Sequence, residues 1–549
     1  MSEDSSPRVS VLWFRHGLRI HDNPALLRAL EDTDIFYPVF IFDGESAGTK
    51  LISYNRMKFL LESLEDLDNQ FRAKGGKLYV FFGSPIEIFA KFKAHLNFYK
   101  LTFEQDCEPI WQARDNSVKK LCDDLDIIWD ESISHTLWDP REIIDTNGGS
   151  PPLTYSMFLH TVSVIGPPPR PVEDPCWDGI KFGVLPDSLK RELDVSFCFI
   201  LFKDKIPVPA DFNLKPELKQ SEYTIEWFGG ENQALSNLRK RIAVEEKAFR
   251  QGFCQPNQTQ PDLLGPPTSQ SAALRYGCLS VRKFFWALHD TFSNVHNRPS
   301  NSNITSQLIW REYFYTMSVD NKYYAEMARN PVCLNIPWSS VKDETAKANL
   351  KAWEDGKTGY PFIDALMRQL KQEGWIHHIG RNAVSSFLTR GDLWISWEEG
   401  LRHFLRYLLD ADWSVCAGNW MWVSSSAFEK LLDCNFCICP VNYGRRLDPY
   451  GEFVKRYVPE LQKMPVEYVY EPWRAPLEVQ EHANCVIGRD YPKRIVDHNV
   501  ASHENKEKMK EICKSLKVRT PHCAPSDESE IRQYMWLPDS CTSHLSTLK

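Results

Sequence analysis

The sequence contains no run of about 18 consecutive apolar residues, the length that a membrane-spanning helix requires, so no spanning helix is expected. Residues 1–7 are acidic and polar, with neither the basic region nor the apolar region of a secretory signal. The protein is therefore expected to be soluble and intracellular.

An excess of positive charge is also missing. Lysine and arginine number 65 against 73 acidic residues, which gives a formal net charge of −8. This balance disfavours a protein that holds nucleic acid through its overall electrostatic field, but it does not exclude one local basic groove. With 549 residues the chain is too long for a single hydrophobic core, and two or three domains are predicted.

The 15 cysteines follow no disulfide framework, and scattered thiols of this kind suit a reducing compartment. Cys434, Cys437 and Cys439 form a C-x2-C-x-C cluster that superficially resembles a metal site. A zinc site would need a second Cys or His pair at a suitable spacing, and none is evident. No metal is therefore predicted.

Residues 7–135 alternate short apolar runs with helical patterns, which predicts a parallel sheet covered by helices on both faces. Five runs are interpreted as strands: 9–14, 35–42, 78–82, 101–103 and 127–129. Asn23 followed by Pro24 indicates a helix start. No strand is followed by G-x-G-x-x-G, so a dinucleotide bound in the Rossmann manner is not expected here.

The rest of the chain predicts a different architecture. Residues 136–225 are rich in proline and glycine and are interpreted as an irregular connector. Helical patterns without a convincing strand then fill 226–515, including a charged amphipathic helix over about 506–517, and a tail follows from 516 to 549. The predicted fold is a five-stranded parallel α/β domain, an all-helical domain and a short C-terminal tail.

The segment 409–422 places two carboxylates, Asp410 and Asp412, and one thiol, Cys416, in an otherwise apolar stretch with three tryptophans. Carboxylates are rarely buried unless they are paired, and Arg381 is a candidate partner for either one. Because the aspartates are two positions apart, they are expected to point to different sides and to need different partners. A structural ion pair and a buried, inert cysteine are the alternatives to a functional site.

Hydroxyl groups gather just before an apolar helix, in the segment T-S-Q-S at 268–271. Thr268, Ser269 and Ser271 can hold a phosphate or simply cap the helix, and Arg241 would add positive charge for a pyrophosphate. Gln307 begins a stretch of mixed polar and aromatic residues that also suits a core with a polar flank.

Five further motifs follow one another along the helical part. They are W-R-E-Y-F at 310–314, T-G-Y-P-F-I-D-A-L-M-R at 358–368, G-W-I-H-H at 374–378, S-F-L-T-R at 386–390, and D-x-D followed by G-N-W within 410–420. Together they resemble the photolyase/cryptochrome family, and the resemblance runs from about residue 7 to residue 500. Within that family, V-F-I-F-D-G-E-S-A-G-T at 39–49 and E-Q-D-C-E-P at 104–109 resemble the light-sensing insect type 1 cryptochromes.

The resemblance implies FAD as cofactor in the helical domain and leaves an antenna chromophore undecided. The residues that it implies for cofactor binding are Arg241, Thr268, Ser269, Ser271, Gln307, His378, Arg381, Asp410, Asp412 and Cys416. Arg381 would pair with Asp410 beside the flavin, Asp412 would be the second flavin-contacting carboxylate, and Cys416 would lie opposite flavin N5.

The resemblance also implies electron transfer through Trp420, Trp397 and Trp338, extended outward by Trp394. Trp394 and Trp397 are three positions apart and are expected on one helical face. Core packing is the alternative role for each tryptophan. Because Cys416 offers only a weak S–H donor, photoreduction is expected to stop at the anionic semiquinone.

A photoreceptor is predicted rather than an enzyme. His378 matches the first of two histidines that (6-4) photolyases use, but Asn382 stands at the second position and cannot do acid–base work near neutral pH. Tyr534 and Trp536 match a tail motif whose aromatic residues fill the cavity that would otherwise take a flipped base. His378 would sense the charge of the reduced flavin, and the tail would be released.

The implied function is a blue-light photoreceptor of the circadian clock in cytoplasm and nucleus. Release of its tail would change the binding of a timeless-like clock protein and a jetlag-like ubiquitin ligase, and so light-dependent degradation. A DNA photolyase and a light-independent clock transcriptional repressor are the alternatives.

Overall fold

The computed structural model describes residues 7–44, 50, 52–195, 200–202, 205–218, 224–250, 263, 269–293, 304–432 and 437–515. Within these residues no helix is both long and apolar enough to cross a membrane. The first part of the chain forms a sheet with helices on its faces, and the part from residue 226 onward is helical.

The five predicted strands form one parallel sheet in the order β5-β4-β1-β2-β3. They are β1 (Val9–Phe14), β2 (Ile35–Phe42), β3 (Tyr79–Phe82), β4 (Lys100–Glu104) and β5 (Ile128–Ser132). All six residues of β1 are buried, as expected for a central strand covered on both faces. Four helices join these strands: α1 (Pro24–Leu30), α2 (Tyr54–Arg72), α3 (Pro85–Leu96) and α4 (Gln112–Asp124). Asn23 caps α1 as predicted, accepting a hydrogen bond from the backbone N–H of Leu26.

The segment 136–225 is more regular than an irregular connector, so that interpretation was wrong. It contains α5 (Pro140–Thr146), α6 (Tyr155–Ile165), β6 (Lys181–Phe182), α7 (Asp187–Val195) and β7 (Ile200–Phe202). β6 pairs with β2 in parallel, and β7 pairs with β3 in the antiparallel sense, which makes the sheet seven-stranded. Short runs of two or three residues have too little periodicity to be recognised as strands from sequence.

The helical part has thirteen α-helices within the described residues. They are α8 (Glu231–Arg250), α9 (Ser271–Arg275), α10 (Val281–Ser293), α11 (Ile304–Ser318), α12 (Glu344–Glu354), α13 (Pro361–Glu373), α14 (His378–Ser386), α15 (Trp397–Tyr407), α16 (Trp413–Val423), α17 (Pro440–Leu447), α18 (Glu452–Tyr457), α19 (Leu477–His482) and α20 (His498–Ser515). A short π-helix, Phe387–Gly391, extends α14. The predicted amphipathic helix over about 506–517 is the second half of α20, which begins eight residues earlier than predicted.

The two parts meet closely behind the end of β1. Gly17 and Gly277 both have a φ of +66°, and a Cβ on Gly277 would lie only 2.2 Å from the backbone nitrogen of Gly17. Arg19, buried nearby, donates a hydrogen bond to the carbonyl of Gly277 at 3.0 Å. Glycine is needed at 277 because any side chain would separate the two backbones.

Candidate functional site

The buried carboxylate Asp410 forms the ion pair that the sequence predicted. Arg381, in the first turn of α14, donates to Oδ2 of Asp410 at 2.8 Å. Its Nε donates to the carbonyl of Ile376 at 2.9 Å, which fixes the guanidinium in place. The other oxygen of Asp410, Oδ1, is buried and has no hydrogen-bond partner. A buried acceptor without a partner is costly, so this oxygen is available to an N–H group of a bound molecule.

Asp412 has different partners, as its offset from Asp410 predicted. Nε of Arg275 lies 3.1 Å from Oδ1 of Asp412 and also donates to the carbonyl of Ala411 at 2.9 Å. Nε of Arg311 lies 4.0 Å from the second oxygen, Oδ2. Two arginines therefore lie near Asp412, and its Oδ1, like that of Asp410, is buried without a hydrogen-bond partner.

Cys416 is buried close to the ion pair. It lies in α16, which begins directly after Asp412. Burial, reinforced by the negative charge of Asp410, raises the pKa of the Cys416 thiol to about 12. The thiol therefore keeps its proton at neutral pH and is neither a nucleophile nor a ready proton donor.

His378 begins α14, one turn before Arg381. Desolvation and the positive charge of Arg381 lower the pKa of His378 to about 4, although the residue is exposed to solvent. The imidazole ring packs against His377, with 4.4 Å between the ring centroids. His378 is thus neutral at pH 7, and only added negative charge nearby would favour its protonation.

The four tryptophans differ in their exposure to solvent. Trp420 and Trp397 are fully buried, Trp394 is 5% exposed and Trp338 is half-buried. Trp420 packs on α15 at Gly400, where an added Cβ would lie 2.1 Å from the indole. Trp397 is three residues before Gly400 on α15, and like Trp420 it belongs to the main hydrophobic core.

Trp394 does not share a helical face with Trp397, so that prediction was wrong. α15 begins at Trp397 behind the cap residue Ser396, and Trp394 precedes it with a left-handed φ of +54°. Its indole N–H donates to the carbonyl of Pro337 at 3.0 Å, and its ring centroid is 4.7 Å from that of Trp338. The two outer tryptophans therefore contact each other across a loop.

The residues predicted to hold phosphates are only partly described. Ser269 and Ser271 have their hydroxyl oxygens 2.9 Å apart at the start of α9, and Arg241 on α8 pairs with Glu245. Gln307 is exposed on α11. Thr268 and, in the tail, Trp536 lie outside the described residues.

Sequence reasoning missed the buried ion network around Asp412. Arg275 shares a hydrogen bond of 2.8 Å with His16, and the other ring nitrogen of His16 lies 2.8 Å from Asp106. Burial opposes the charge of Arg275, but Asp412 and Glu108 outweigh it and raise the pKa of Arg275. Each buried aspartate needs a cation nearby. Because Arg381 could pair with only one of the two aspartates, the sequence already indicated that a second basic residue lies near the other.

Comparison with known proteins identifies the family. A family model described as "FAD binding domain of DNA photolyase" matches residues 304–511, and one described as "DNA photolyase" matches residues 10–174. A curated relative named Cryptochrome-1 from Aedes aegypti is 54% identical and covers 96% of this chain and 98% of its own length. The chain belongs to the photolyase/cryptochrome family.

Further family members support both the fold and the insect relationship. Cryptochrome-1 of Drosophila melanogaster is 52% identical, covering 97% of this chain and 98% of its own length. A class III photolyase from Agrobacterium tumefaciens has a TM-score of 0.74 at 25% identity, covering 93% of this chain and 99% of its own. A Synechocystis cryptochrome has a TM-score of 0.75 at 22% identity, covering 92% and 100%, which supports the fold alone.

The helical part is therefore an FAD-binding domain, and its residues fit that cofactor. The unpartnered, buried Oδ1 of Asp410 can accept a hydrogen bond from a ring N–H. Arg381 orients that carboxylate by its hydrogen bond to Oδ2. Bound FAD supplies absorption of blue light and one-electron chemistry; the chain's own residues supply position, charge and proton control.

Proposed function

We propose that this member of the family is a blue-light photoreceptor and not an enzyme. Light would draw an electron inward through Trp338 or Trp394, then Trp397, then Trp420. The observation that supports the proposal is the burial of these indoles: Trp338 is half-buried, Trp394 is 5% exposed, and Trp397 and Trp420, the latter four positions after Cys416 on α16, are fully buried. The identity of the chain to insect Cryptochrome-1 proteins supports the same function.

The inner end of the series suits electron transfer because it is dry and rigid. The Trp420 ring is in contact with Phe404, at 5.0 Å between centroids, and with Gly400 of α15. Cys416 and Trp420 are four positions apart on α16, so they share one face of that helix. Asp410, beside Cys416, adds negative charge that would stabilise a nearby indole radical cation.

The reduced state proposed for the flavin depends on which nearby side chains could donate a proton. Cys416 is the residue proposed to lie opposite flavin N5, and its thiol holds its proton with a pKa of about 12. Asp410 is engaged in an ion pair with Arg381 at 2.8 Å. We therefore propose that photoreduction leaves the anionic semiquinone.

The signal would leave through the tail, residues 516–549. His378 is neutral in the oxidised state because its pKa is lowered to about 4. A new negative charge beside it would raise that pKa, and protonation would change the surface on which Trp536 is proposed to dock. Tail release would alter binding of a timeless-like clock protein and a jetlag-like ubiquitin ligase in cytoplasm and nucleus.

The deciding experiment is an absorption spectrum of the purified, FAD-loaded full chain before and after blue light. Wild type should lose its oxidised-flavin band, and Trp420→Phe should slow this loss by more than about tenfold, equivalent to about 1.4 kcal/mol in the barrier. Trp353→Phe is the matched control, because Trp353 is also fully buried, with its ring 6.3 Å from Trp420, and is not in the proposed path. Undiminished photoreduction in Trp420→Phe would remove Trp420 from the path.

Two other functions give different outcomes. A DNA photolyase would repair a damaged oligonucleotide under blue light, and Asn382 in place of a second histidine together with the net charge of −8 argues against it. A light-independent repressor would inhibit clock transcription equally in darkness and in light. Tail-dependent partner binding that appears only after illumination would support the photoreceptor.

A further inference from the structure

A positive charge lies over one of the two outer tryptophans. Nζ of Lys508, on α20, is 5.0 Å from the centroid of the Trp394 ring. The ammonium group donates a hydrogen bond to Oδ1 of Asn505 at 3.1 Å, about one turn earlier on the same helix. Asn505 is itself buried and donates to the carbonyl of Asp392 at 3.2 Å. Two successive hydrogen bonds therefore hold the cation over the ring.

The packing of α20 against the outer tryptophans fixes the position of Lys508. Met509, the next residue on the helix, is buried in a small hydrophobic cluster together with Trp394, and Trp338 packs against that cluster. At the beginning of α20, Nδ1 of His498 lies 2.7 Å from Oδ1 of the buried Asp392. Contacts at two places along the helix thus keep it beside the segment that contains Trp394.

The charge of Lys508 acts in opposite ways on the neutral and on the oxidised ring. A cation over a neutral indole is attracted by the π electrons. Once Trp394 has given up an electron, the ring is itself positive and the attraction becomes a repulsion. Asn505, the hydrogen-bond partner of Lys508, is a neutral amide and does not cancel the charge. Lys508 therefore makes Trp394 harder to oxidise.

The two outer indoles also differ in their hydrogen bonds. The indole N–H of Trp394 donates to the carbonyl of Pro337 at 3.0 Å, which favours positive charge on that ring. The N–H of Trp338 is buried and has no hydrogen-bond partner among the described residues. Because a backbone carbonyl is too weak a base to remove the indole proton, the positive charge would stay on Trp394, close to Lys508. Without Lys508, Trp394 would be the more easily oxidised of the pair.

We propose that Lys508 limits the time for which light-driven positive charge stays on the outer tryptophans, by making Trp394 harder to oxidise. This inference rests on the electron path of the proposed function. In that path one electron passes from Trp394 to the radical cation of an inner tryptophan. Trp394 is oxidised, the inner ring is reduced to its neutral state, and no proton moves. Lys508 acts through Trp394 as a positioning residue and neither gains nor loses an electron.

The expected size of the effect follows from Coulomb's law. For two unit charges about 5 Å apart in water-like surroundings, the repulsion shifts an equilibrium about fourfold, and more where water is excluded. Lys508 is exposed and Trp394 is buried, so water screens only part of the interaction. Removal of the charge should therefore raise the fraction of positive charge on Trp394 by about fourfold or more.

The ease of oxidation of Trp394 is tested in darkness, where no light excites the flavin. Pulse radiolysis of the FAD-loaded full chain with azide generates azide radicals, which remove one electron from tryptophan, and peptide mass spectrometry then measures the oxidised residues. Lys508→Gln should raise the ratio of oxidised Trp394 to oxidised Trp338 by about fourfold or more. Lys508→Arg, which keeps the charge, should match wild type. An unchanged ratio in Lys508→Gln would overturn the proposal.

The matched control is Lys506→Gln. Lys506 is also exposed on α20, but it lies two positions before Lys508 and so faces a different side of the helix. Its replacement should leave the ratio of oxidised tryptophans as in wild type. An equal rise in Lys506→Gln and Lys508→Gln would show that the general charge of α20 acts on the ring and would contradict a specific role of Lys508.

The lifetime is measured by flash absorption of the FAD-loaded full chain, in which the tryptophan radical is followed after a blue pulse. The radical should decay about fourfold more slowly, or slower still, in Lys508→Gln than in wild type. Lys508→Arg and Lys506→Gln should decay as wild type does. Equal decay in all these proteins would contradict the role of Lys508 and leave the electron path intact. Absence of any tryptophan radical in wild type would instead contradict the proposed function itself.

Discussion

At the residue scale, the proposed function makes Cys416 the residue that decides whether the reduced cofactor can gain a proton. Replacing it by aspartate places a carboxyl group in a buried position beside Asp410, where desolvation and a neighbouring carboxylate would raise its pKa and keep it protonated. We expect Cys416→Asp to convert the photoproduct from the anionic to the neutral radical, seen as new absorption at long wavelength after blue light. Cys416→Ser, which keeps a hydroxyl of high pKa, should resemble wild type.

If Cys416→Asp binds FAD in darkness and still gives the anionic radical, the thiol is not the group that limits protonation. The sequence could suggest the pair Arg381–Asp410, because a buried carboxylate needs a cation and Arg381 stands in a motif shared with the family that the sequence resembles. It could not assign Arg275 and Arg311 to Asp412, because the chain has 65 basic residues and their approach depends on how the helices fold back.

At the scale of elements, the contact of α15 with α16 positions Trp420. A Cβ at residue 400 would lie 2.1 Å from the Trp420 ring. Gly400→Ala should therefore displace the indole, lower the free energy of unfolding by about 1–3 kcal/mol through overpacking, and slow photoreduction. Arg402→Ala, at an exposed position of the same helix, should stay within about 0.5 kcal/mol of wild type. Both variants are checked by their unfolding midpoints and by the rate at which blue light bleaches the flavin. A normal bleaching rate in Gly400→Ala would mean that electron transfer does not depend on how Trp420 packs against α15.

Helix periodicity predicted the buried face of α15 correctly but not where the helix begins. Trp397 and Leu401 are buried on that face, as their spacing indicates. Trp394 fits the same spacing, yet the π-helix Phe387–Gly391 and the cap at Ser396 place it in a loop against Trp338. The spacing of apolar residues does not reveal that the helix is interrupted here, because Trp394 in the loop is about as buried as the residues on the buried face of α15.

At the scale of the whole molecule, the wound sheet was predictable because its five main strands are nearly continuous apolar runs. β6 and β7 were not predictable from the sequence, because they have only two and three residues. They belong to a later segment of the chain that folds back onto the sheet. The contact between the sheet-containing part and the helical part could not be predicted from the sequence either. It depends on the close approach of Gly17 to Gly277 and on the hydrogen bond between His16 and Arg275. Such contacts arise only when distant segments are brought together.

The last prediction concerns the contact between the sheet-containing part and the helical part. Arg275 is buried, and it links Asp412 of the flavin side to His16 at the end of β1. Arg275→Met fills a similar volume but leaves Asp412 and Glu108 with less compensating charge, and removing one partner of a buried pair costs about 3–5 kcal/mol. Arg141→Met is the matched control: Arg141 pairs with Asp320 at 2.9 Å, but both side chains are about half exposed, so the loss should stay below about 1 kcal/mol. Thermal unfolding of the FAD-loaded proteins should show a much lower midpoint for Arg275→Met alone, with earlier release of FAD because Asp412 is one of the residues proposed to contact the flavin. Equal midpoints for the two variants would mean that the buried network does not hold the two parts together.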